Sequence, residues 1–64
     1  MVKINGESLD MAGKTLSQYL EKQNYDTKFI AVERNGNIVP KAQYSQTVFN
    51  DEDEIEIVSF VGGG

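Results

Sequence analysis

Two Asn-Gly pairs, Asn5-Gly6 and Asn35-Gly36, constrain this chain more than any other feature. Each stands between short apolar stretches. Both positions of such a pair tolerate positive φ, so each predicts a tight turn between antiparallel strands. Before the first, Val2 and Ile4 alternate with Lys3 and Asn5; after it, Leu9 and Met11 alternate with Ser8 and Asp10. The spacing predicts a first hairpin of two short strands. The second pair joins the apolar run Phe29–Val32 to Ile38-Val39, and Pro40 ends that strand by removing a backbone donor. A continuous run such as Phe29–Val32 suits a strand buried on both faces.

Between the hairpins lies a helical pattern. Gly13 breaks the strand period, Thr15 suits a helix N-cap, and Gln18 completes a capping box. Leu16, Tyr19 and Leu20 fall on one face at helical spacing, and Asn24 suits a left-handed stop. A helix of two to three turns cannot stand alone in water, so it must pack on the sheet. Beyond Pro40, Tyr44 is expected to anchor a helical turn, and Val48-Phe49 to add a short strand. The run Asn50–Glu54 predicts a solvated acidic turn; its spacing lacks that of a calcium-binding loop. The final strand is expected over Glu54–Val61. The order predicts an α+β chain, a mixed sheet of four to five strands with one main helix on one face. That is the β-grasp, or ubiquitin-like, arrangement. The expected division is a body at 1–61 and a flexible glycine tail at 62–64.

Composition narrows the chemistry. The chain of 64 residues has no cysteine and no histidine, so it supplies no thiol nucleophile and no imidazole base. Ten acidic residues against six basic ones give a net charge of −4, and no basic cluster suits a nucleic-acid partner. No apolar stretch approaches the roughly 20 residues of a membrane span, and the start does not read as a signal peptide. The expectation is a cytoplasmic protein that is monomeric when free and makes no membrane contact.

The chain ends Phe60-Val61-Gly62-Gly63-Gly64. Glycine loses the most backbone entropy on ordering, and it lets a backbone approach another surface closely. Three extended residues reach roughly 10 Å, at about 3.3–3.6 Å each. Gly62 and Gly63 are therefore expected to thread a partner's active site and present the carboxylate of Gly64. That carboxylate is ionised at neutral pH and inert as an acyl donor. Attack on the α-phosphate of ATP would activate it as an acyl-adenylate, and a sulfur nucleophile could then displace AMP to leave a thiocarboxylate. The chain has no phosphate-cradling loop, so ATP and magnesium would be handled by the partner, with no cofactor or metal bound here.

Parity along the last strand adds a second feature. Ile55 and Ile57 point inward, so Val58 and Phe60 fall on the outer face with Glu54 and Glu56, and Ser59 on the core side. Two outward apolar groups beside the tail predict a docking surface for a protein partner. A bulge that turns Phe60 back onto the core is the alternative. Phe29 could join the patch, although its parity is ambiguous.

The stretch Val32–Lys41, the opening Ile4-Asn5-Gly6-Glu7 and the ending Glu54–Gly64 together resemble the ThiS family, the sulfur carriers of thiamine thiazole synthesis. The resemblance covers essentially the whole chain. It implies a protein cosubstrate, itself no enzyme, whose Gly64 is adenylated by a ThiF-like adenylyltransferase with ATP and magnesium. Sulfur mobilised from cysteine then yields a thiocarboxylate, which a ThiG-like thiazole synthase consumes. Asp51-Glu52-Asp53 departs from the family, where a glycine often occupies the middle of this turn. Alternative readings are the MoaD sulfur carrier of molybdopterin synthase, usually longer and different before its glycines, and a ubiquitin-like protein modifier.

Overall fold

The computed structural model describes residues 1–60. Val61 and the tail Gly62–Gly64, and with them the end of the expected last strand and the 61/62 boundary, lie outside the described residues.

Both Asn-Gly turns form as expected. β1 (Val2–Ile4) and β2 (Glu7–Leu9) pair antiparallel, with Ile4 opposite Glu7. Asn5 at φ 50° and Gly6 at φ 84° make the left-handed turn between them. The helix α1 (Leu16–Lys22) opens on a complete capping box. The Gln18 N–H donates to the Thr15 hydroxyl at 3.1 Å, and the Thr15 N–H to the Gln18 side chain at 2.9 Å. The helix closes at Asn24, φ 61°. There the Tyr25 N–H reaches Leu20 and the Asn24 N–H reaches Glu21, a Schellman closure.

β3 (Ile30–Arg34) and β4 (Asn37–Ile38) form the second hairpin, a 3-10 turn over Lys41–Gln46 buries Tyr44, and β5 (Glu54–Ser59) completes the sheet. Its strand order is β2-β1-β5-β3-β4. β5 runs parallel to β1 and antiparallel to β3. Leu16 and Leu20 of α1 join Val2, Ile4, Ile30, Val32, Ile55 and Ile57 in one core on one face of the sheet. The fold is therefore the expected β-grasp arrangement. No helix among the described residues is long and apolar enough to cross a membrane.

Three local expectations change. The run Phe29–Val32 is buried on one face only. Ile30 and Val32 face the core, while Phe29 ends a 3-10 turn (Thr27–Phe29) opened by Asp26 and is 38% exposed. Asp26 accepts from the Lys28 N–H at 3.0 Å, a local bond that competes with strand pairing. Val48-Phe49 forms no strand; Val48 makes an isolated bridge to Thr15, while Phe49 is buried edge-on to Tyr19 at 6.2 Å. The acidic turn, finally, is not wholly solvated, because Asp53 is only 7% exposed.

Candidate functional site

β5 carries the residues nearest the tail, and its first half is held from both sides. Asp53, just ahead of it, accepts from the Asn50 N–H at 2.9 Å and from the Asn35 side chain at 3.1 Å, and pairs with Arg34 at 2.9 Å. Asn35 in turn accepts from the Glu54 N–H at 2.9 Å. The second hairpin turn is thus tied to the base of β5 by one polar cluster, with no buried side-chain nitrogen or oxygen unpaired among the described residues. Burial alone would raise the Asp53 carboxyl. The Asn50 and Asn35 hydrogen bonds and the Arg34 guanidinium outweigh it and hold the group below the ordinary carboxylate range.

The outer face of the sheet has two unlike ends. At the base, Glu33 lies directly opposite Glu56, and Lys3 opposite Glu54. Glu33, Glu54 and Glu56 border an open depression of about 410 Å³. Like charges in direct cross-strand register oppose folding, so this end suits a basic counter-surface. Towards the tail the face becomes apolar. Val58, paired with Ala31, is 54% exposed, and Phe60 is 49% exposed. Phe29 lies beside them, its carbonyl accepting from the Phe60 N–H at 2.9 Å. Val58 and Phe60 are therefore on the surface, and Phe60 is not turned back onto the core. Ser59, assigned by parity to the core side, is also exposed, because the core ends before it.

Among the described residues, no three His, Cys, Asp or Glu side chains converge as they would around a metal ion. Gly62, Gly63 and Gly64 lie outside the described residues. The face offers apolar side chains at Val58 and Phe60 and charged ones at Glu33, Glu54 and Glu56.

Sequence reasoning missed two residues that shape this end. Asn5, read only as a turn former, accepts from the Ile57 N–H at 2.7 Å and donates to the Ile57 carbonyl at 3.2 Å. Arg34 pairs with Asp53 and donates to the Val48 carbonyl at 3.0 Å. Neither has a local sequence signal, since each partner is distant in the chain.

Known proteins match this chain along almost its whole length. The crystal structure of a thiamine biosynthesis protein (ThiS) from Geobacter metallireducens superposes with a TM-score of 0.76 at 25% identity, covering 98% of this chain and 97% of that one. The sulfur carrier protein ThiS of Bacillus subtilis is 36% identical over 100% of both chains. A thiazole synthase of Paramagnetospirillum magneticum is 47% identical over 95% of this chain, which spans only 19% of that relative's length. The model of the ThiS family matches residues 2–64, through the three glycines. A β-grasp body with an exposed apolar end at the base of that glycine ending, matched in sequence from Val2 to Gly64, makes this chain a member of the ThiS family.

Proposed function

We propose that this protein is a sulfur carrier for thiazole formation in thiamine biosynthesis, with the α-carboxylate of Gly64 as its working group. The observation that carries the reading is the family match through Gly62-Gly63-Gly64, directly behind the exposed pair Val58 and Phe60. A ThiF-like adenylyltransferase docks on Val58 and Phe60 and receives Gly62 and Gly63 in its channel. A carboxylate oxygen of Gly64 attacks the α-phosphate of ATP, and pyrophosphate leaves. A sulfide-level nucleophile then adds to the acyl carbon and expels AMP, leaving the thiocarboxylate. Magnesium and nucleotide are held by the enzyme; this chain contributes its tail and its docking face. A ThiG-like thiazole synthase takes the sulfur, an oxygen from its substrate or from water replaces it on the acyl carbon, and the carboxylate returns. The similarity to a segment of a thiazole synthase chain supports that second partner. The cytoplasm, where ATP is supplied, is the compartment this cycle requires.

Intact-mass measurement tests the proposal. After incubation with the adenylyltransferase, magnesium-ATP and a sulfur donor, the chain gains the mass difference of sulfur for one oxygen, localised to Gly64. A chain lengthened by one residue past Gly64 shows no such gain at Gly64. An unchanged mass, with an enzyme that charges another carrier in the same mixture, refutes the reading.

A further inference from the structure

The tail end of β5 leaves part of its backbone without a neighbour. Asn35 donates to the Glu54 carbonyl at 2.8 Å and Phe60 to the Phe29 carbonyl at 2.9 Å. With the register between them, these bonds show that residues 54, 56, 58 and 60 turn their main-chain groups toward β3. Residues 55, 57 and 59 therefore turn theirs to the opposite side, where β1 lies. There the Asn5 N–H donates to the Ile55 carbonyl at 2.9 Å. β1 then curls away into its turn, and the Asn5 side chain substitutes for a strand by bonding both main-chain groups of Ile57. Past that point the replacement ends. Among the described residues no group bonds the Ser59 N–H or carbonyl, and Ser59 is exposed.

Unpaired strand edges are usually blunted by lysine, proline or a covering loop. Neither Val58 nor Phe60, the neighbours of Ser59, is such a residue. Ser59 stands three positions ahead of Gly62 in the sequence, so a strand laid against it would meet the chain just before the glycine ending. A partner that must grip glycines has no side chains to hold there, and main-chain hydrogen bonds are the specific contact left. The flanking apolar groups of Val58 and Phe60 would supply side-chain selectivity, as in recognition by strand addition.

We propose that the Ser59 edge of β5 accepts an extended strand of the thiazole synthase, which extends the sheet and holds the tail straight toward the active site. This rests on the carrier reading above. The synthase is the occupant because relatives of this chain occur within thiazole synthase chains, where the two must meet repeatedly.

Amide hydrogen exchange on the labelled protein, free and saturated with a thiazole synthase that uses a separate carrier, tests the edge. In the free chain the Ser59 amide exchanges fast while those of Val58 and Phe60 are slow. In the complex the Ser59 amide slows by at least about tenfold. Ser59→Pro removes the N–H without removing a bond of the fold, and Val58 ahead of it is already extended, as proline requires. It weakens synthase binding about tenfold or more, whereas Ser59→Ala binds as the parent does. Equal binding by S59P and S59A, or a Ser59 amide that stays fast in the saturated complex, overturns the proposal. If S59P does not fold, the exchange measurement alone decides. A chain that is thiocarboxylated normally but fails either test loses only this edge; a chain that is never charged loses the carrier reading itself.

Discussion

The two ends of β5 are built from similar residues and treated oppositely by the fold. At its start, Ile55 is buried between β1 and β3, and the preceding Asp53 is locked by Asn50, Asn35 and Arg34. At its end, Val58 and Phe60 are half exposed, and among the described residues the strand keeps only β3 as a backbone neighbour. Apolar side chains alternate along both halves; what differs is how many elements enclose them. The anchored end fixes where the strand lies. The open end can then offer its side chains and one backbone edge to another protein without loosening the core.

Substitutions can break this contrast. Ile55→Ala should lower the unfolding free energy by about 2–5 kcal/mol, measured by urea titration, because it empties a site enclosed on the core face. A smaller loss would mean that the base of β5 is not the anchor. Asp53→Ala should cost about 2–3 kcal/mol, since it leaves the Asn50 N–H and the Arg34 charge without their partner. The same carboxylate sets an acid limit. Its folded pKa is depressed below the ordinary value of 3.8. The stability it contributes is fully present above the unfolded pKa and is lost as pH falls through the folded one. Thermal melts of the parent should therefore fall more steeply below about pH 4 than those of Asp53→Ala. Parallel curves would remove Asp53 from the anchor.

Glu52 gives a gentler test at the same end. It sits at φ 74°, in the left-handed region. The left-handed backbone costs a side-chain-bearing residue about 1–2 kcal/mol, and glycine gives back about 0.5–1 through its unfolded-state entropy. Glu52→Gly should thus raise stability by about 0.5–1 kcal/mol, read as an upward shift in the urea midpoint. At the open end, Val58→Ala and Phe60→Ala should change stability by about 0.5 kcal/mol or less, as surface substitutions do. They should weaken binding to the adenylyltransferase about tenfold or more. A large drop in melting temperature with binding intact would reverse the assignment and make Phe60 a core residue.

Much of the body is legible in the order of residues. The two Asn-Gly turns, the Thr15–Gln18 capping box, the stop at Asn24 and the inward parity of Ile55 and Ile57 all depend on residues close in sequence, and all formed as expected. The failures share the opposite cause. Four apolar residues in a row at Phe29–Val32 carry no period that separates Phe29 from the strand, and it is the Asp26 side chain that turns the chain there. The acidic run is uniform in composition, but within it Asp53 meets Arg34 and Asn35, which arrive from another hairpin. On the site itself, parity placed Val58 and Phe60 outward, whereas the clamp from Asn5 and the bare Ser59 edge had no signal in the string.

Local periodicity, turn chemistry and the glycine ending were thus set by the order of residues alone, because capping, φ preference and side-chain alternation act over a few positions. Which strand lies beside β5, where that neighbour gives out, and which of several carboxylates is buried were settled only by the assembled sheet. Those outcomes rest on groups as many as 52 residues apart, as Asn5 and Ile57 are, and only folding brings them within hydrogen-bonding distance.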